Sequence, residues 1–176
     1  MKNQIIWSLK TRLIHWGIAL IVILNLFILE DGDPPHRYLG YGAVILIIFR
    51  ILLGFVGLYH ERFIHFPLSP KLIISFIKNH FSLRSLSKEK YIGHNPLASL
   101  ASIVIWLTII GLAVTGKMLD LDAFFGDENL ENIHHQLSNF LLALVIFHLV
   151  GIILDSIIHR RKTWQAMITG QKDSDA

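Results

Sequence analysis

Four histidines lie in or beside strongly apolar stretches of this 176-residue chain, and they are the residues best placed to do chemistry there. They are His15, His36, His134 and His148. An imidazole can bind a metal, carry a proton or simply hydrogen-bond a neighbouring helix. Ionisable groups in apolar segments are costly, and they usually face the interior of a helix bundle, where they meet a partner or a ligand. Their spacing helps to choose among these roles.

Two of the histidines form a stripe on one predicted helix, in the run NIHHQLSNFLLALVIFHLVG at 132–151. With about 100° and 1.5 Å per residue, His134 and His148 point about 40° apart and lie about 21 Å apart along the axis. His135 points about 140° away from His148. The pattern therefore predicts that His134 and His148 share a face and that His135 lies beside it.

The composition predicts an integral membrane protein, since 53% of the residues are hydrophobic and only 16% are charged. Four apolar runs reach the length of about 20 residues that a spanning helix needs, at about 12–29, 38–58, 97–119 and 133–158. We expect an all-α membrane four-helix bundle forming a single membrane domain over 1–176. The first run is long for a signal peptide and no A-x-A-like site follows it, so we interpret it as a retained helix.

Cysteine is absent from the chain. This excludes thiolate metal sites, iron–sulfur clusters and haem attached covalently through a C-x-x-C-H motif.

The distribution of charge predicts the direction of each span. Lysine and arginine collect near both ends of the chain and in the segment 59–96, whereas the loops EDGDPP and DLDAFFGDENLEN are acidic. Because basic residues accumulate on the cytoplasmic side, both termini and the middle segment are expected inside and the acidic loops outside. The chain is thus predicted to be a multi-pass membrane protein with both termini on the cytoplasmic side.

This topology sorts the histidines into two pairs, which we name for their predicted sides: an outer pair, His36 with His134, and an inner pair, His15 with His148. Two imidazoles facing each other across a bundle suit a haem iron with both axial positions filled. Zinc would usually need three or four ligands at one depth, and a proton relay would not need matched pairs. The pairs therefore predict two non-covalent haems b, with these histidines as the iron ligands.

Small residues and arginines near the histidines could complete the haem sites. Gly40, Ser138 and Gly151 follow ligands on roughly the same helix face and would leave room for a flat macrocycle, although ordinary helix packing would also use them. Arginine forks match carboxylates, so candidate partners for the haem propionates are Arg12, Arg37 and Arg50. For Arg12 and Arg37, the alternative role is anchoring at the membrane interface.

The segment between spans two and three contains a further predicted helix. In LSPKLIISFIKNHFSLRS, Pro70 can occupy the first helical position, and apolar residues recur at helical spacing with lysines between them. This pattern is typical of a short amphipathic helix on the inner membrane surface. In the following GHNP, Asn95 can cap the third span and Pro96 can begin it, and His94 could be a cap or a functional group.

Several segments resemble the bacterial cytochrome b561 family, which includes the cytochrome b subunit of nickel-iron hydrogenases. They are RLIHWGIAL, HRYLGYGAVILIIFRILLGFVG, GHNP, GLAVTG and IHHQLSNFLLALVIFHLVG…AMITG, and together they cover nearly the whole chain. The resemblance implies a four-helix membrane cytochrome with two b haems that exchanges electrons between quinones and a periplasmic or membrane partner. By motif, the implied ligands fall on His15, His36, His134 and His148.

We therefore predict a di-haem b-type cytochrome that transfers electrons across the inner membrane, as an electron carrier or a quinone oxidoreductase subunit. Membrane lipid, a quinone, and a periplasmic c-type cytochrome or a dehydrogenase or hydrogenase subunit are the expected partners, and nucleic acid is not. One alternative is a superoxide oxidase that reduces quinone, although acidic outer loops would repel that anion. A second is a haem-free membrane anchor or transporter subunit that uses histidines for protons or metal.

Overall fold

The structure, a computed structural model, describes residues 3–80, 96–158 and 162–173. Within these ranges the chain is almost entirely helical, and it adds one pair of short strands. In chain order the elements are β1 (Asn3–Ile5), α1 (Leu9–Phe27), α2 (Pro34–Val56), α3 (Pro70–His80), α4 (Pro96–Leu119), α5 (Glu128–Ile158), α6 (Ala166–Thr169) and β2 (Gln171–Asp173).

Four of these helices, α1, α2, α4 and α5, match the four predicted spans. The shortest, α1, has 19 residues, which is about 28 Å of helix against a hydrocarbon core of about 30 Å. Large apolar side chains are exposed on all four, including Leu20, Ile45, Leu107 and Phe147, as expected for surfaces that meet lipid. The structure thus confirms four helices long and apolar enough to cross a membrane, and their direction across it stays a prediction.

Helix α5 begins earlier than the apolar pattern indicated, because a polar residue caps it. The carboxylate of Asp127 accepts hydrogen bonds from the amides of Asn129 and Leu130, at 3.0 and 3.2 Å. A side chain that bonds these otherwise unpaired amides favours a helix start at that point. His134 therefore lies in the second turn of α5 rather than at its first residues.

Helix α2 also begins before its apolar run, at Pro34. Proline suits the first turn because the amide it lacks would be unpaired there. The amide of Arg37 donates to the carbonyl of Asp33 at 3.1 Å, which closes this turn. His36 consequently belongs to the first turn of α2.

The chain divides into two compact units, and the boundary falls within each of the four long helices. The first unit comprises Met1–Leu13, Ile51–Ser102 and Phe147–Ala176, and the second comprises Ile14–Arg50 and Ile103–Ile146. The single membrane domain and the four-helix bundle remain predictions.

In the first unit, the two ends of the described chain are joined by the antiparallel pair β1 and β2. The amides of Ile6 and Trp7 continue this contact by donating to the carbonyl of Gly170, at 2.8 and 3.2 Å. Both side chains are buried together with Ala166. The sequence did not predict this sheet, since strands of three residues are too short to show a period.

In the second unit, small residues let the helices approach closely. A methyl group added at Gly17 of α1 would lie 2.9 Å from the side chain of Leu46 in α2. One added at Gly111 of α4 would lie 3.5 Å from Leu137 in α5. Such contacts are typical of helices that pack in membranes.

The predicted helix in the middle segment is present as α3, and it begins at Pro70 as expected. Leu72 and Ile74 are exposed on it, so it carries apolar surface available to a bilayer. Its position on the inner membrane surface stays a prediction. Helix α4 begins at Pro96, also as expected, whereas His94 and Asn95 lie outside the described residues.

Candidate functional site

The outer pair of histidines is brought together in the second unit. The ring centres of His36 in α2 and His134 in α5 lie 6.4 Å apart, and the ring planes are tilted by 56°. Because His36 lies in the first turn of its helix and His134 near the start of its own, the helix starts decide whether the rings can meet.

The spacing of these rings fits a single metal ion between them. A metal–imidazole bond of about 2.0–2.1 Å, with the ring centre roughly 1.2 Å beyond the nitrogen, gives centres about 6.5 Å apart. Two imidazoles would supply only two donors to such an ion, and a porphyrin would supply the others. The pair of residues therefore fits a haem iron better than a bare ion.

The ring of His134 lies against α4. Its Nδ1 is 2.8 Å from the hydroxyl oxygen of Thr115, and a methyl group added at Gly116 would lie 3.3 Å from its Cε1. Neither residue was predicted as part of the site. Both occur in GLAVTG, where a hydroxyl residue followed by glycine within an apolar run was the available signal.

Around His36, polar atoms are buried without a hydrogen-bond partner among the described residues. They include Nδ1 of His36 itself and the amide oxygen of Asn25. The amide nitrogen of Asn25 donates to the carbonyl of His36 at 3.2 Å, and Asp31 lies 4.0 Å from Nδ1. Buried polar groups are usually paired, so these atoms are consistent with a site that completes its bonding with a bound group.

The predicted small residues differ in their surroundings. A methyl group at Gly40 would meet only Asn25, at an ordinary contact distance of 3.7 Å, and one at Gly151 would meet nothing within 4 Å. Gly151 is exposed on α5, so the open space beside it does not by itself indicate a haem site. The role of both glycines in haem binding stays a prediction, as does that of Ser138.

Arg37 forms an ion pair with Asp120, the residue that follows α4. The hydroxyl of Tyr41 lies 3.4 Å from the same carboxylate. These contacts join the first turns of α2 to the end of α4 next to the outer pair. The observed partner of Arg37 is Asp120, and its contact with a haem propionate stays a prediction.

Arg50 is buried inside a spanning helix, with 6% of its surface exposed. Its guanidinium carbon lies 5.5 Å from the ring centre of Trp106 in α4, which is within the range of a cation–π interaction. A positive charge at such a place is a functional-site candidate, and its predicted role beside a propionate is compatible with this burial.

The residues predicted for the inner pair belong to different units, and their pairing stays a prediction. His15 is in the second unit, where its ring meets Trp16 edge-on at 5.3 Å. His148 is in the first unit. Arg12, also in the first unit, donates to the carbonyl of Ile168, and its Nε is buried without a hydrogen-bond partner among the described residues.

Comparisons with known proteins agree with these observations. The family model for prokaryotic cytochrome b561 matches residues 6–170. The chain is 23% identical over 215 residues to a probable Ni/Fe-hydrogenase B-type cytochrome subunit of Cupriavidus necator, covering 98% of this chain and 88% of the relative.

Proteins with the same name in two other bacteria are similar to the same degree. Identity is 25% for that of Rhodobacter capsulatus, covering 95% of this chain and 80% of the relative. Identity is 24% for the protein of Bradyrhizobium diazoefficiens, covering 95% of this chain and 85% of the relative. No solved structure matches the chain significantly. The chain therefore belongs to the prokaryotic cytochrome b561 family and is a multi-pass protein of the bacterial inner membrane.

Proposed function

We propose that this membrane b-type cytochrome holds two haems and carries electrons across the bilayer between the quinone pool and a redox protein on the outer side. The outer haem would be bound by His36 and His134, and the inner haem by His15 and His148. The observation that carries the proposal is the 6.4 Å between the ring centres of the outer pair.

The haem iron, when bound, would supply the one-electron chemistry, and the chain would supply its ligands and surroundings. His36 and His134 would hold the haem from two different helices. Because α2 and α5 are long helices whose starts are fixed by Pro34 and Asp127, the ligands would keep their separation during electron transfer. Apolar helix surfaces would keep water from the iron and lower the local dielectric.

The proposed distance between the haems follows from α5 alone. His134 and His148 are on one helix, and a rise of about 1.5 Å per residue separates them by about 21 Å along it. Ligands at these two levels would place one haem towards each side of the membrane. Electrons could then pass between a quinone on one side and a protein on the other.

For the outer partner, we propose a hydrogenase or another periplasmic dehydrogenase subunit, or a c-type cytochrome. Support comes from the relatives, which are named as Ni/Fe-hydrogenase B-type cytochrome subunits. The acidic loops that flank the outer pair favour a basic contact surface on that partner.

Haem stoichiometry tests this proposal. The purified protein should release its haem into acid acetone, since no cysteine can hold it covalently, and the pyridine haemochrome spectrum should give about two haems b per chain. A stoichiometry near one would contradict the inner or the outer site. A protein without a Soret band would contradict the whole proposal.

A further inference from the structure

We infer that Thr115 is a positioning residue for the outer haem: its hydroxyl selects the tautomer of His134 whose Nε2 can bind iron. This inference rests on the proposed function and goes beyond it. The contact that carries it is the 2.8 Å between the hydroxyl oxygen of Thr115 and Nδ1 of His134.

The direction of this hydrogen bond follows from the other neighbours of the hydroxyl. Its oxygen also lies 2.9 Å from the carbonyl of Gly111 and 3.1 Å from that of Leu112. Carbonyls only accept, and a hydroxyl has a single hydrogen to donate. With the hydrogen directed to the two carbonyls, the oxygen presents a lone pair to His134, and the bond needs a hydrogen on Nδ1.

That hydrogen decides which atom of His134 can be a ligand. A neutral imidazole with a hydrogen on Nδ1 has its lone pair on Nε2. Ligating histidines almost always donate their other ring N–H to a neighbouring acceptor, which fixes the tautomer and the ring orientation. Thr115 is in the position of that acceptor.

The surroundings hold this arrangement in place. Thr115 is buried, with 9% of its surface exposed, so water does not readily compete for its hydroxyl. Gly116 lets the imidazole come close to α4, since a methyl group there would lie 3.3 Å from Cε1. The adjacent His135, by contrast, is exposed. The local geometry thus assigns the ligand to His134 and accounts for the choice between the two neighbours.

The hydrogen bond should also influence the iron. Accepting from Nδ1–H makes the imidazole more basic, and a more basic ligand favours the oxidised iron. The hydroxyl of Thr115 should therefore lower the midpoint potential of the outer haem and increase the affinity of its site.

Two substitutions separate the effect of the Thr115 hydroxyl from the effect of side-chain shape. Thr115→Val keeps the shape and removes the acceptor, whereas Thr115→Ser keeps the acceptor. Thr108→Val is the matched control, because Thr108 is a buried threonine of the same helix whose hydroxyl donates to the carbonyl of Val104 at 2.8 Å. Each purified protein would be titrated with haem after extraction and followed by optical redox titration, with His134→Ala as the reference for loss of the outer haem.

We expect Thr115→Val to weaken haem binding at the outer site by about 10–100-fold and to raise its midpoint potential. Thr115→Ser and Thr108→Val should behave like the unmodified protein. The inference is overturned if Thr115→Val leaves affinity and potential unchanged, or if Thr108→Val causes the same loss. Loss of the haem in Thr115→Ser would also overturn it, since the hydroxyl is then not the cause. Absence of haem from the unmodified protein would instead refute the proposed function.

Discussion

The backbone amide of Ser8 donates to the carboxylate of Glu61, 2.6 Å away, although 53 residues separate them. Ser8 precedes α1, and its own hydroxyl accepts from the amide of Thr11 at 3.2 Å. In a capping box, the third residue of a helix would bond the capping amide. Here the carboxylate that accepts from the capping amide belongs to Glu61, which follows α2. This contact fixes the start of α1.

Glu61 should make stability depend on pH. Its side chain is 1% exposed, and burial raises its pKa, but hydrogen bonds from the amides of Ser8 and Leu58 outweigh burial and hold the pKa below its usual value. A lowered folded-state pKa gives stability that is present above the unfolded value of about 4.3 and is lost as the pH falls through the folded one.

Glu61→Gln should therefore destabilise the protein at pH 7, on the order of 1–3 kcal/mol for a weakened buried hydrogen-bonding group. The difference from the unmodified protein should shrink below about pH 4. Thermal unfolding in detergent across a pH series measures this. A gap of constant size from pH 7 to pH 3.5 would show that the charge of Glu61 does not contribute.

Gly170 should be sensitive to substitution because its backbone is both left-handed and crowded. Its φ is 79°, and a methyl group there would lie 2.7 Å from the carbonyl oxygen of Trp7. Gly32 has the same φ of 79°, but nothing lies within 4 Å of an added methyl group. Gly32→Ala should cost about 1–2 kcal/mol for the backbone conformation alone.

Gly170→Ala should cost more than Gly32→Ala, because the clash with Trp7 adds to the same conformational penalty. Melting temperatures of the two variants in one detergent provide the comparison. Equal melting temperatures would mean that the crowding by Trp7 adds nothing to the conformational penalty.

The ligands of the outer haem can be separated by single substitutions. His134→Ala and His36→Ala should each reduce haem from about two to about one per chain, because each removes one axial ligand. His135→Ala should leave both haems, since this side chain is exposed. Pyridine haemochrome spectra give the count, and loss of haem from His135→Ala but not from His134→Ala would contradict the assignment.

The site was predictable from the sequence where it depends on helices. Hydropathy located the four long helices, and helical phase predicted that His134, rather than His135, shares a face with His148. Those arguments need only the period and the length of a helix. Together with the span directions predicted from charge, they predict the outer pair, whose rings lie together in the structure.

The polar contacts around the site were not predictable in this way. Thr115 meets His134, and Glu61 meets Ser8, through contacts between residues that are distant in the sequence. In the sequence, Glu61 is one of two acidic residues in the basic segment 59–96, and nothing marks Ser8 as its partner. The starts of α1, α2 and α5 were missed by three to five residues, since a cap such as Asp127 fixes the start whereas hydropathy finds only the first apolar residue.

Arg50 should influence a haem through its charge. If it lies beside a propionate, removing the charge in Arg50→Gln should lower the midpoint potential, because a nearby cation favours the reduced iron. A shift of about 59 mV would correspond to a tenfold change in the one-electron equilibrium. Arg50→Lys keeps the charge and should keep the potential, although it loses the planar contact with Trp106. If redox titration gives the same midpoint potentials for Arg50→Gln and the unmodified protein, Arg50 does not act on a haem through its charge.

Electron transfer on the predicted outer side should depend steeply on salt. Of the acidic residues in the two loops, Asp120 is paired with Arg37 and Asp127 caps α5. The others are exposed, and they are Glu30, Asp31, Asp33, Asp122, Glu128 and Glu131. Their field should speed the approach of a basic protein and slow that of an anion, and both effects should fade as the Debye length drops from about 30 Å at 0.01 M salt to about 10 Å at 0.1 M.

Stopped-flow oxidation of the reduced protein measures how the electron-transfer rate depends on salt. A cationic cytochrome c is one oxidant, and anionic ferricyanide is the oxidant of opposite charge. The rate with cytochrome c should fall as salt rises, and that with ferricyanide should rise. The double variant Glu30→Gln/Asp122→Asn should be slower with cytochrome c at low salt and unchanged at high salt. The matched variant Lys71→Gln/Lys78→Gln alters two exposed charges of α3, on the predicted inner side, and should leave the rate unchanged. Rates independent of salt would mean that the charge of the acidic loops follows from their side of the membrane and does not attract a redox partner.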